Sequence, residues 1–234
     1  GRTDVYWSVL ATKALLGAVF VAVFLVIIVV NLWLADRIAP AVVAPSPEER
    51  ALAGYRQLVG SRKWLVRFVV GGVLGLMVGL PAMSQWQDWL LFTNRQSFGI
   101  ADPLFNQDVS FYMFQMPLAE FVVNWLFGAL VLIVLVVSAV HYLNGGIRLQ
   151  TPGQRITPQV KGHLSLLLAL LALVKGVSYL LEQYTLVYSD RSGAIQAASY
   201  TDVTVSKPAY QLLAMIALAA AVLHTGGAGA LVMA

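Results

Sequence analysis

Residues 18–30 read AVFVAVFLVIIVV and lie inside a run without a single charge between Lys13 and Asp36. Crossing about 30 Å of hydrocarbon at about 1.5 Å per residue takes roughly 20 residues of this kind. In that solvent every backbone donor and acceptor must be paired within the segment, so helix is expected despite the many β-branched residues. Four further runs follow: Arg67 to Asp88, Glu120 to Arg148, Lys161 to Glu182 with Lys175 inside it, and Lys207 to the end. The expected fold is all-α, a polytopic transmembrane helix bundle in one domain over 1–234. Its spans are expected at about 14–35, 65–87, 121–143, 163–182 and 208–230.

Composition excludes the main alternatives. Of 234 residues, 59% are hydrophobic and only 11% charged, against about 25% charged in soluble domains. The net charge of +4 comes from basic residues flanking apolar runs, so a nucleic-acid partner is not expected. There is no cysteine, which removes disulfides and thiolate metal sites.

Lysine and arginine also orient the chain. Arg37, Arg50, Arg56, Arg62, Lys63, Arg67, Arg148, Arg155 and Lys161 fall in alternate connections and hence on one side; Arg2, Lys13, Arg95, Arg191 and Lys207 fall on the other. The positive-inside rule assigns the first side to the cytoplasm. The expected location is a bacterial plasma (inner) membrane, with the N-terminus extracytoplasmic. A chain beginning outside, and ending in LHTGGAGALVMA without a charged flank, is expected to be a fragment of a longer protein.

Three stretches stand out. SPEER, followed by ALAGYRQLVGSRK, opens with Ser46, Pro47 and Glu49 in a capping pattern. Leu52, Tyr55, Leu58 and Val59 share a face, with Arg50, Arg56, Arg62 and Lys63 around it. A short cytoplasmic interfacial helix is expected, its basic residues contacting anionic lipid headgroups or acting as a topology anchor. The outer connection, WQDWLLFTNRQSFGIADPLFNQDVSFYMFQMP, is rich in the aromatic residues that suit headgroup depth. Asp102 before Pro103 suggests a helix start, and Asp108 a second cap; a hard cation between them lacks further ligands. Gly71, Gly75 and Gly79 at four-residue intervals allow a tight helix contact, within the chain or between identical subunits.

Lys175 is the charge inside a span. Such a residue costs about 2.5–3.5 kcal/mol near the membrane centre and usually faces protein or water. Ser178, Tyr179 and Glu182 follow on its face. A polar, outward-opening crevice in which Lys175 meets an anionic group is one expectation; the other is that Lys175 snorkels or pairs with a carboxylate from a neighbouring helix and serves packing alone. His141, His163 and His224 are not at metal-ligand spacing and are expected at interfaces or in packing. No HExxH, nucleophile elbow, phosphate loop or dinucleotide fingerprint occurs, so no catalytic residue, cofactor or metal is assigned.

WQDWLLF, FGIADPLFNQDVSFYMFQMP, HYLNGGIRLQTPG and ASYTDVTVSKPA resemble an uncharacterised multi-pass membrane protein family of actinobacteria and cyanobacteria. The likeness runs from about Tyr6 to about Leu223. It implies about seven N-terminal spanning helices followed by a large extracytoplasmic domain and an acidic tail, of which this chain would be the membrane part without its first helix. HTGGAGALVMA departs from that pattern. The resemblance carries over no catalytic or binding residues.

Two classes of function fit. In one, the bundle is the base of an envelope lipid-handling or transport protein. In the other, it is an anchor or assembly scaffold for other envelope membrane proteins. An anchor needs only one span, which favours the first. An intramembrane enzyme acting on lipid is a third, weaker fit.

Overall fold

In the computed structural model the described residues are 2–40, 60–148, 155–191, 193 and 197–233. Helix α1 (Arg2–Arg37) covers the first apolar run and extends beyond it at both ends. Its 36 residues measure roughly 54 Å at 1.5 Å each, well beyond the hydrocarbon thickness. Helix α2 (Lys63–Gly79) returns antiparallel to α1, passes into a 3-10 turn (Leu80–Gln85) at Pro81, and resumes as α3 (Trp86–Thr93). The span expected at about 65–87 is therefore two helices joined by a tightened turn. Proline supplies no N–H at that point. The nearby Val78 carbonyl accepts the indole N–H of Trp125 instead, at 2.8 Å.

Helix α4 (Met116–Leu143) follows a π-turn at Phe111–Gln115; α5 (Pro158–Glu182) ends in a 3-10 turn (Gln183–Tyr188). After a second π-turn at Asp202–Ser206 comes α6 (Lys207–Met233). Among the described residues there is no strand, only isolated bridges between Ala101 and Asp108 and between Ile147 and Ile156. Among the described residues, five helical segments are long and apolar enough to cross a membrane: Thr3–Arg37, Lys63–Thr93, Phe111–Leu143, Pro158–Tyr188 and Asp202–Gly226. The expected interfacial helix, with Arg50 and Arg56, lies outside the described residues.

The core forms where α1, α4 and α5 meet. Phe24, Ile28, Leu32 and Ala35 of α1 pack with Ala129, Ile133 and Val137 of α4 and Leu167 of α5. These positions recur every three or four residues, the period of one helix face. The opposite faces expose Phe68, Met77, Leu135, Met215 and Ile216, as lipid-facing surfaces do. Gly71, Gly75 and Gly79 are all buried, and they lie against α1: Gly71 beside Ile28, Gly75 beside Leu25, and Gly79 against the backbone of Val21. On α5, Gly176 admits Ala217 and the Ala214 carbonyl of α6 by the same means.

The connection before α4 is folded onto its own carboxylates. Asp102, 6% exposed, does not start a helix. Its Oδ1 accepts the N–H groups of Leu104 (2.8 Å) and Phe105 (2.7 Å), and its Oδ2 those of Gln107 (2.9 Å) and the Tyr112 hydroxyl (2.7 Å). Asp108 does cap the helical turns from Val109, taking the Ser110 N–H at 2.8 Å, and also binds Ser97 Oγ and the Gly99 N–H. A cation between the two would have to displace these donors. Burial alone would raise the Asp102 carboxyl, but the bonds from Phe105, Tyr112, Gln107 and Leu104 outweigh it and hold it below the ordinary aspartate value. The Ser97 and Ser110 bonds hold Asp108 well below it too.

That fixes a pH dependence. A carboxyl depressed in the folded state stabilises above its unfolded value, about 3.9, and loses that contribution as pH falls through the folded value. Hydrogen exchange of residues 97–112 is therefore expected to be flat in stability from about pH 8 to about pH 5, and to show opening only below about pH 4. Opening that begins above pH 5 would contradict the assignment.

Candidate functional site

Among the described residues, three polar assemblies in the bundle are candidate sites. At the aromatic end, a cavity of about 220 Å³ lies between α4 and α5, bounded by Glu120, Asn124, Ser178 and Glu182 with Val123 and Leu181 as apolar walls. Both sets fall on one helix face by their three- and four-residue spacing. Lys175 donates to Glu182 Oε1 (3.2 Å) and Ser178 Oγ (3.3 Å), Ser178 donates to the same oxygen at 2.8 Å, and the ammonium sits 4.4 Å from the Tyr179 ring centroid. The four residues singled out from sequence thus meet. The carboxylate partner of Lys175, Glu182, comes from its own helix rather than from a neighbouring one. With Glu120 opposite and Lys175 occupied by Glu182, the cavity wall suits a cation better than an anion.

At the other end lie the basic residues and two adjoining hollows around the start of α2. One, about 230 Å³, opens between α2 and α4 over Val66, Val70, Val136 and Val140, with Lys63, Arg67 and Asn144 beside it. The second, about 430 Å³, lies between α1 and α2 over Val29, Trp33, Trp64 and Phe68. Leu32, Lys63 and Arg67 belong to both. Arg67 is paired with Asp36, whose other oxygen accepts the Asn144 amide at 3.1 Å. Lys63, which lines both hollows, is exposed, as is its chain neighbour Arg62.

The third assembly is buried in the basic half. His141 and His163 are hydrogen-bonded, Nε2 to Nδ1, at 3.0 Å, and His163 Nε2 lies 3.0 Å from Asn31 Oδ1. Three helices are joined by this line. The histidine spacing in sequence concealed it, but a register argument would have found it. His141 sits two residues before the end of α4 and His163 five after the start of α5, and a short antiparallel connection sets such positions level. Asn31, a polar residue in an otherwise apolar run, was the other available signal.

Spanning helices packed around intramembrane polar clusters define the class: a polytopic α-helical membrane protein. The chain belongs to the uncharacterised protein family UPF0182, whose model matches residues 1–229. It is similar to UPF0182 proteins of Frankia alni (44% identical, covering 94% of this chain and 21% of the relative), Salinispora tropica (40%, 94% and 22%) and Streptomyces coelicolor (35%, 94% and 22%). The chain therefore spans about a fifth of the length of the curated relatives it matches. No solved structure matches it.

Proposed function

We propose that this chain is the membrane base of a lipid-handling or transport protein, and that the hollows around α2 seat an anionic lipid. The observation that carries this is the pairing of an apolar floor (Val66, Val70, Val136, Val140) with the exposed ammonium group of Lys63 beside it, Arg67 being held by Asp36. An acyl chain needs the first and a phosphate the second. In the bacterial plasma membrane, with the basic end toward the cytoplasm, Lys63 lies at inner-leaflet headgroup depth, where a basic residue is worth about 1 kcal/mol toward anionic lipid. Arg50 and Arg56 add to the same positive side. The scaffold alternative, with other envelope proteins or identical subunits as partners, loses its main motif. The glycine stripe of α2 is occupied by α1 of the same chain.

The test is lipid binding by the full-length protein in detergent, read by native mass spectrometry with phosphatidylglycerol and phosphatidylcholine in parallel. Phosphatidylglycerol is expected to bind preferentially. Lys63→Glu should weaken it by roughly 10- to 30-fold through charge reversal, and Val140→Trp should block the hollow without loss of the fold. Equal binding of both lipids, unaffected by either substitution, would refute the proposal.

A further inference from the structure

We propose that His141 and His163 form a proton-binding site inside the membrane, with Nδ1 of His141 as the atom of entry and His163 as the ring that holds the charge. It stands apart from the lipid proposal and does not depend on it. The hydrogen-bond directions follow from the end of the line. The Asn31 amide Nδ2 donates to the Ile27 carbonyl at 2.8 Å, so its Oδ1 faces His163 and accepts. His163 therefore carries its proton on Nε2 and presents a bare Nδ1, which accepts from His141 Nε2–H. That leaves His141 Nδ1 with a lone pair and no partner, in a side chain that is fully buried.

An unpaired buried acceptor is costly, and a purely structural contact between helices would not require one. The same atom is what a proton carrier needs. A proton added at His141 Nδ1 lets the Nε2–H proton pass along the 3.0 Å bond to His163 Nδ1. His141 is then neutral again with its proton on Nδ1. His163, now an imidazolium, donates to Asn31 Oδ1 on one side and to His141 Nε2 on the other, so both its N–H groups are satisfied. The other buried side-chain atom without a partner, among the described residues, is Thr157 Oγ1. It stands beside the same turn, where the Thr157 N–H donates to Gly146 O and the Gly146 N–H to His141 O.

The charged and titratable groups of the surrounding elements leave the pair to itself. Asp36 of α1 is held by Arg67 of α2 and by Asn144. Arg148 donates to the Gly145 carbonyl, Lys161 of α5 is exposed, and Tyr142 of α4 and His224 of α6 are half-buried. Among the described residues, none of Asp36, Arg67, Arg148, Lys161 and His224 has a hydrogen bond or ion pair to either ring.

The decisive measurement is ¹⁵N NMR of histidine-labelled full-length protein in lipid nanodiscs, with signals assigned by substituting each histidine in turn. At about pH 8 both rings are expected as Nε2–H tautomers, coupled through the shared hydrogen bond. Lowering the pH toward about 5, the range in which imidazoles switch, should add one proton to the pair, with both rings shifting in a single step. Asn31→Leu, which removes the acceptor that faces the imidazolium, should move that step down by about one pH unit. His163→Gln should abolish the shared step, and covers the case in which Asn31→Leu does not assemble. Rings that titrate independently, or that take up no proton before the protein unfolds, would overturn the proposal.

Discussion

Replacing Gly79 by alanine is expected to destabilise the protein by about 2–3 kcal/mol, while the same change at Gly71 leaves stability unchanged or slightly higher. The difference lies in what each added methyl would meet on α1. At Gly79 it would lie 2.5 Å from the backbone nitrogen and 2.6 Å from the Cα of Val21. Backbone cannot rotate aside, so the two helices must part, and the contacts of the whole α1–α2 seam loosen with them. At Gly75 the obstacle is the Leu25 side chain, with Cγ and Cδ2 at 3.2 Å. A leucine terminus can change rotamer, and a cost below about 1 kcal/mol is expected. At Gly71 the methyl would meet Ile28 Cγ2 at 3.5 Å, an ordinary contact, and alanine is the better helix former by about 0.5–1 kcal/mol. Melting midpoints of the three single variants, in one detergent and at one protein concentration, should fall in the order Gly71, Gly75, Gly79. Equal losses at all three would mean that the seam is looser than its geometry.

That gradient marks how far the sequence could be read. The four-residue spacing in α2 announced a close helix contact, because only small side chains let backbones approach. It carried no information on which glycine meets backbone and which meets side chain. The spans were legible for a similar reason: lipid leaves the chain no choice but internal hydrogen bonding, so a long uncharged run dictates a helix. Their ends were not, since helices continue past the hydrocarbon edge wherever the flanking residues allow. Thus α1 reaches Arg2 and Arg37, and Pro81 splits the second span. On α5 the one-turn and two-turn spacing assembled Lys175, Ser178, Tyr179 and Glu182 correctly, because their geometry is local. The cavity wall at Glu120 and Asn124 comes from another helix, and so does the His141–His163–Asn31 line. Both depend on the register between helices, which composition and periodicity do not encode.

Asp102 is the position outside the spans where one substitution should do most damage: Asp102→Ala is expected to cost about 2–3 kcal/mol and to release the connection before α4. Removing the carboxylate strands three backbone N–H groups and the Tyr112 hydroxyl. Hydrogen bonds to a charged acceptor are worth about 1.5–3 kcal/mol each but do not add, since freed donors partly recover water. The loss also spreads. Phe105 and Tyr112 stack with Tyr184 at 4.7 and 6.4 Å between ring centroids, and Lys207 donates to the Leu104 carbonyl at 3.3 Å, so the turn that Asp102 closes also docks the connection onto the ends of α5 and α6. Asp102→Asn should fall between wild type and alanine. Its amide oxygen can still accept from Leu104 and Phe105, whereas its NH₂ group faces the Gln107 N–H, a donor it cannot satisfy. Limited proteolysis between Arg95 and Tyr112 in the folded protein reads the outcome directly. Faster cleavage in the order wild type, asparagine, alanine, with the spans intact, is expected. If cleavage stays the same in all three while the melting midpoint is unmoved, the aromatic contacts alone hold the connection and Asp102 is not its keystone.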